Sequence, residues 1–285
     1  MTHPNPPTTP TAAATAASEL TGTPATSTRQ IGSAVFEVDL HDGDLVVVKS
    51  HDHPNAVQAE AASLSWLAEP EGPPVPQVRA HDDRWLVLDQ IEPGSPTPRA
   101  AEDFGRQLAA LHATGAPAFG VPPPDGPRDA FIGLAHMPNE PHPSWPEWFA
   151  EHRIAHYVRQ AVDIGVLTTS EARIIEDVRV DAPTEPPARL HGDLWNGNVH
   201  WAADGRAWLI DPAAHGGHRE SDLAMLALFG CPHLDRILAA YHEVAPLSDG
   251  WRERFPLHQL FPLLVHTVLF GRGYASQTLS AARSL

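Results

Sequence analysis

The chain has 285 residues and a formal net charge of −16, long enough to bury a sizeable core and to form two lobes. Such acidity argues against nucleic acid, because phosphate backbones are neutralised by Lys and Arg. A single cysteine, Cys231, leaves no internal disulfide. No run reaches the ~18 apolar residues of a membrane span, and no basic stretch followed by an apolar one marks a secretory leader, so a cytoplasmic protein with no membrane partner is expected.

Residues 1–28 are mostly Thr, Ala, Pro and Ser with almost no large apolar side chain, a composition that predicts a disordered tail. From Ser33 to Leu40 apolar and polar residues partly alternate, Asp42-Gly43 supplies a turn, and Leu45 to Lys49 reads as a second strand of a hairpin. Ala56 to Leu67 has helical spacing. Val78 to Ala80 and Trp85 to Leu88 are two more short strands around Asp82-Asp83. Residues 29–92 therefore predict a small antiparallel lobe with one helix. Residues 93–285 are mainly helical: Ala100 to His112, Trp145 to Gly165 after a Pro-rich loop, Ser170 to Val178, Ser221 to Phe229, Leu234 to Glu243 and Gln259 to Phe270. Short strands interrupt them, at Ala188 to Leu190 with Val199 to Trp201, and at Ala207 to Ile210. The pattern predicts an α+β, two-lobed, protein-kinase-like fold, with a small antiparallel β lobe and a larger helical one.

Between those strands lies His191-Gly192-Asp193-Leu194-Trp195-Asn196-Gly197-Asn198, followed by Ile210-Asp211-Pro212. An Asp, an Asn five positions on, and a second Asp after an apolar strand form the spacing of a phosphoryl-transfer site. Asp193 can accept the proton of a substrate hydroxyl. Asn198 and Asp211 offer hard oxygens suited to Mg²⁺ on ATP phosphates. The basic residues are 18 Arg and one Lys, and that Lys, Lys49, ends the Leu45-Val48 strand where a phosphate-binding lysine would sit. A compact ammonium there is not easily replaced by a planar guanidinium. Glu60, on the first helix, can pair with Lys49 and aim it. Asp89-Gln90-Ile91, after the Trp85 strand, is placed to present backbone to adenine, so Asp89 and Ile91 are nucleotide-contact candidates. The segment Gln30-Ile31-Gly32-Ser33 holds one glycine and is not a Gly-rich phosphate loop. His215 and His218 lack a third ligand at a zinc spacing, and Cys231 lacks a basic neighbour that would activate it.

The central run, with Ile210-Asp211-Pro212-Ala213 and Gly217-His218-Arg219-Glu220-Ser221-Asp222-Leu223-Ala224-Met225, resembles the fructosamine kinase (ketosamine-3-kinase) family. That family is a branch of the aminoglycoside-phosphotransferase-like proteins within the protein-kinase fold. Met137-Pro138-Asn139, Trp148-Phe149, Arg153 and Leu260-Phe261-Pro262-Leu263-Leu264-Val265-His266 add to the resemblance, which runs from about residue 29 to the end. It implies ATP-dependent phosphorylation of a sugar hydroxyl on a small-molecule ketosamine or glycated amine. It implies Asp193 as base, Asn198 and Asp211 as Mg²⁺ ligands, Lys49 with Glu60 as the phosphate-positioning pair, and Asp222 as a brace for the catalytic loop. Trp148, His218 and Arg219, with Phe149, Arg153 and Glu220 nearby, would border the acceptor. A monomer or weak dimer is expected.

Two other functions fit the same residues. One is a phosphotransferase for an aminoglycoside or another small hydroxyl compound. The other is a nucleotide-binding module without catalysis, which the joint presence of Lys49, Asp193, Asn198 and Asp211 disfavours.

Overall fold

Alternation along two strands explains the N-terminal lobe. The computed structural model describes residues 8–69 and 71–285. Strands β1 (Ala25–Gln30), β2 (Val35–Leu40), β3 (Leu45–Ser50), β4 (Val78–His81) and β5 (Trp85–Asp89) form an antiparallel sheet in the order β1-β2-β3-β5-β4. Successive side chains leave a strand on opposite faces. Val46, Val48, Trp85 and Val87 accordingly pack on one face against Ala13, Ala16 and Ala17 of α1 (Pro10–Thr21). Val47, Leu86 and Leu88 pack on the other against Val57, Ala61 and Leu64 of α2 (Pro54–Leu67). Lys49 shares the parity of Val47, and so reaches the α2 side of the sheet.

The tail expected over residues 1–28 is thus ordered from α1 onward, and the lobe begins well before residue 29. Thr9 caps α1 by accepting from the Ala12 amide at 3.2 Å, and Gly22 ends it at a φ of 74°. The Ser18 hydroxyl accepts from the Ala25 amide at 2.8 Å, tying the helix to β1. Three buried alanines suffice because the bulk comes from the sheet: Phe36, Val38 and Trp85 fill the layer onto which the small residues close. Residues 1–7 of that expectation lie outside the described residues.

The C-terminal lobe comprises α3 (Pro98–Ala113), β6 (Asp129–Ile132), β7 (Ala135–Pro138), α4 (Trp145–Trp148), α5 (His156–Asp163), α6 (Thr169–Glu176), β8 (Ala188–Leu190), β9 (Val199–Trp201), β10 (Ala207–Leu209), β11 (His215–Gly217), α7 (Glu220–Leu228), α8 (Leu234–Val244), α9 (Phe255–Phe270) and α10 (Arg272–Arg283). A π-helical stretch, Phe149–Ala155, joins α4 to α5, so the helix expected over 145–165 is continuous but locally widened. One core gathers Trp148, Tyr157, Leu260 and Leu264 around α9. A second gathers Phe104, Leu108, Leu223, Ile237 and Tyr241 between α3, α7 and α8.

The strand pairing differs from expectation. β9 pairs with β10, but β8 pairs with β11, whose His215-Gly216-Gly217 carries no strand signal. The run from His191 to Asn198 therefore bridges two separate hairpins. A further hairpin, β6–β7, replaces part of the expected loop and turns through Gly133-Leu134 with Gly133 at φ 55°. The connector between lobes docks on β9–β10: the Gly94 amide donates to the Trp201 carbonyl at 2.8 Å, and the Ala203 amide to the Glu92 carbonyl at 2.9 Å. Among the described residues no helix is long and apolar enough to cross a membrane.

Candidate active site

Two cavities meet in the cleft between the lobes. The first, of about 210 Å³, lies between Val35 and Val47 of the sheet and His200 and Ile210 of the other lobe, and Asp89, Gln90 and Ile91 form its edge. The Asp89 carboxylate is taken by Arg79, which leaves the backbone of this segment to face a ligand. The second cavity, of about 280 Å³, is lined by Lys49, His51, Glu60, Asp193, Asn198 and Asp211, with Phe131 and Trp195 as aromatic walls. Lys49 and Asp211 line both.

At that junction the Lys49 ammonium donates to Glu60 Oε1 at 2.5 Å and to Asp211 Oδ1 at 2.8 Å. Burial works to lower the Lys49 pKa, but the charges of Glu60 and Asp211 outweigh it and hold the lysine protonated. Burial alone would raise the Glu60 pKa; Lys49 and His51 reverse this and bring it down to about 2. His51 Nε2 lies 3.0 Å from Glu60 Oε2, so both oxygens of Glu60 are held.

The catalytic loop is shaped by its backbone. Gly192 has a φ of 82°, and a β-carbon there would lie 2.1 Å from the Ala213 carbonyl, so no other residue fits. Asp222, at the start of α7, accepts from the amides of His191 at 2.8 Å and Gly192 at 3.0 Å. His112 braces Asp222 in turn at 3.2 Å, with Tyr241 on its other nitrogen at 2.8 Å. The expected brace is thus present, with two residues behind it that the sequence did not single out. Asn198 Nδ2 donates to Asp193 Oδ2 at 3.1 Å and to the Asp193 carbonyl at 2.8 Å. Burial pushes the Asp193 carboxyl up to about 7, against the lowering effect of Asn198. A carboxyl with this affinity for a proton is suited to accept one near neutral pH. Asp211 adopts a φ of 55°, a left-handed conformation uncommon outside glycine and characteristic of functional positions.

The donor set suits Mg²⁺. The Asp211 side chain is 50% exposed and already faces a cation, the Lys49 ammonium. The Asn198 amide nitrogen is spent on Asp193, so its carbonyl oxygen is the atom left for a metal. Hard oxygens in small number are what Mg²⁺ accepts beside phosphates.

Trp148, His218 and Arg219, expected to border the acceptor, lie elsewhere. Trp148 is buried beneath Arg153, whose guanidinium stacks 4.3 Å from its ring and donates to the Pro138 carbonyl at 2.8 Å and Asn139 Oδ1 at 2.9 Å. His218 is buried against Trp145, with ring centroids 5.0 Å apart. Arg219 is clamped by Glu185 at 2.6 Å and by the carbonyls of Ala245 and Pro246. His218 and Arg219 follow Asp211 closely in sequence but do not line the cavity, because β11 carries the chain back along β8, and Trp148, placed there by the family resemblance, does not line it either. The second cavity is walled by Phe131, on the unpredicted β6–β7 hairpin, and Trp195. The alternation of buried Ala130 and Ile132 before Gly133 was the available signal for that hairpin. His51, two positions after Lys49, was equally unmarked.

The family model for fructosamine kinase matches residues 11–285. The chain belongs to the fructosamine kinase family. A relative named probable ketoamine kinase from Thermus thermophilus is 35% identical over 248 residues, covering 82% of this chain and 88% of the relative. One from Vibrio parahaemolyticus, of the same name, is 33% identical over 250 residues and 84% of each chain. The crystal structure of a "putative fructosamine-3-kinase" from Thermobifida fusca superposes with a TM-score of 0.88 at 48% identity, covering 95% of this chain and 97% of that one. A gentamicin complex of an aminoglycoside phosphotransferase superposes at 0.63 with 14% identity, over 92% of each chain, which shows the shared fold alone. As a family member the protein is an ATP-dependent phosphotransferase and a ketosamine kinase.

Proposed function

We propose that this family member transfers the γ-phosphoryl group of ATP to a sugar hydroxyl of a ketosamine through Asp193, with Mg²⁺ held by Asn198 and Asp211. One observation carries the reading: a single lysine, fixed by Glu60 and His51, reaches Asp211 where an apolar cavity meets a polar one containing Asp193. The apolar cavity is shaped for a flat base, with the backbone of Asp89 to Ile91 at its edge. Lys49 then points at the phosphates, and Glu60 and His51 keep it from swinging away. Bound Mg²⁺ would neutralise charge on the phosphates. Asp193, oriented by Asn198, aligns the hydroxyl and accepts its proton late in transfer, so it contributes both as positioner and as base. The sugar lies between Phe131 and Trp195, whose flat faces suit the apolar side of a sugar ring.

The test follows ATP consumption and phosphorus NMR with N-fructosyl amines, free fructose and kanamycin. A phosphorylated N-fructosyl amine with much slower turnover of the other two supports the proposal. Faster transfer to kanamycin overturns it in favour of an antibiotic phosphotransferase.

A further inference from the structure

Among the described residues, three exposed aromatic side chains of this acidic protein lie in one row, and an exposed leucine sits on the nearby β6–β7 turn. Trp195 is 40% exposed, Phe229 39%, Phe270 65% and Leu134 88%. The rings connect in sequence. Trp195 lies edge-on to Phe229 with centroids 6.2 Å apart, Phe229 is 5.1 Å from His266, and His266 is 5.3 Å from Phe270 and 4.8 Å from Tyr274. Trp195 is held in place by Gly197: a β-carbon at 197 would lie 2.2 Å from the indole, so the ring lies flat over the turn.

This row begins at the acceptor cavity, because Trp195 is one of its walls. It also closes back on the opposite wall. Gly133, at the tip of β6–β7, lines the same cavity, and a β-carbon there would touch Leu269 of α9 at 3.7 Å. The end of α9 thus spans the mouth from the hairpin tip to Phe270. A substituent leaving the cavity passes across aromatic and aliphatic surface.

A ketosamine has two halves, a sugar with the reacting hydroxyl and an amine carrying a substituent. With the sugar at Asp193, the protonated nitrogen and its substituent project toward this mouth. We infer that the surface of Trp195, Phe229, Phe270 and Tyr274 binds the amine half of the acceptor and selects amines bearing an aryl or extended apolar group; this rests on the acceptor site proposed above. Aromatic faces attract an ammonium through the ring quadrupole and cover apolar area beside it. A small amino-acid substituent fares worse. Among the described residues lining the cavity Lys49 is the one Lys or Arg, and Glu60 and Asp211 already hold it, so an α-carboxylate finds no ready partner.

The experiment compares kcat/KM of the full chain for N-fructosyl-2-phenylethylamine and N-fructosylglycine, and repeats it with Phe229→Ala and Phe270→Ala. Both side chains are well exposed, and melting curves check that each variant folds. The aryl substrate is expected to be favoured about tenfold, mainly through KM, and each substitution to cut that preference roughly threefold to fivefold. Free 2-phenylethylamine should inhibit competitively against the aryl ketosamine, with a Ki raised by a similar factor in both variants. Equal efficiencies for the two ketosamines, a preference for the glycine compound, or a preference untouched by both substitutions overturns the inference while leaving the kinase reading intact. No transfer to either ketosamine refutes the kinase reading itself.

Discussion

Two clusters of His, Glu and a cation stand close to the catalytic loop, yet only one can do chemistry. In the cleft, Lys49, His51, Glu60 and Asp211 face a cavity of about 280 Å³. Beneath the loop, His218, Glu220 and His258 place ligand atoms within 4.8 Å of one another, the spacing of a metal site. There, however, Arg254 grips both Glu220 oxygens at 2.5 and 2.9 Å, and Trp145 stacks 4.8 Å from His258. All three residues are buried, and burial keeps His218 neutral by lowering its pKa to about 4. The guanidinium already supplies the positive charge, and nothing can enter. Residue type is shared; access decides whether a polar cluster works or merely holds the fold.

That contrast can be broken by substitution. Asp193→Asn should lower kcat at least 1,000-fold, on the order of a lost general base plus its positioning, with Mg-ATP affinity nearly kept. It should also melt higher than the parent at pH 8. The parent's carboxyl has a raised folded pKa, so its burial costs stability increasingly as pH climbs from 3.8 to about 7, and the amide carries no such cost. A variant that turns over within a few-fold of the parent would remove Asp193 from the mechanism.

Lys49→Arg should cost roughly 100-fold in kcat/KM despite the retained charge, because a planar fork cannot occupy the point between Glu60 and Asp211. Near-normal activity would show that charge alone suffices at the junction.

Glu220→Gln tests the sealed cluster. It strands Arg254, and stability should fall by about 3 kcal/mol at pH 7, while KM for ATP stays near the parent value. Glu220 has a folded pKa lowered to about 2 from 4.5, so its stabilising effect is present above 4.5 and the difference between parent and variant should shrink as pH falls toward 2. Chemical denaturation at pH 7 and pH 3 measures both. An unchanged denaturation midpoint with a raised KM would place Glu220 in the active site instead.

The pH profile of the parent is a gentler probe. Asp193 must be ionised to accept a proton, so kcat/KM should rise with pH, about tenfold per unit well below 7, and level off above it. A profile flat from pH 5.5 to 8 would contradict the base assignment. The smallest effect is expected for His51→Gln. It loosens one oxygen of Glu60 without removing the pair, and kcat should fall about threefold. No change with a fully kept lysine pair would make His51 a bystander.

Local chemistry was legible wherever it depends on short spacing. His191 to Asn198 and Asp211 pointed to a phosphoryl-transfer site because a backbone turn and one short strand fix their spacing, and the lone Lys49 stood out because it ends a strand. Alanine content misled at the other end: α1 is stabilised by the sheet it covers, and within residues 8–28 Leu20 is the one large apolar group that hints at that partner. Proximity also misled at His218 and Arg219, since sequence neighbours of a loop can pack behind it as readily as in front, and resemblance misled at Trp148, which is buried beneath Arg153. The sequence by itself determined which groups are the candidates for the chemistry and that a small antiparallel lobe precedes a helical one. Only the tertiary structure decided which aromatic residues wall the cavity beside Asp193, that His51 stands behind Glu60 and His112 behind Asp222, and that the His218 cluster is closed. Those outcomes depend on contacts between segments far apart in the chain, where burial and packing choose among side chains that spacing leaves equivalent.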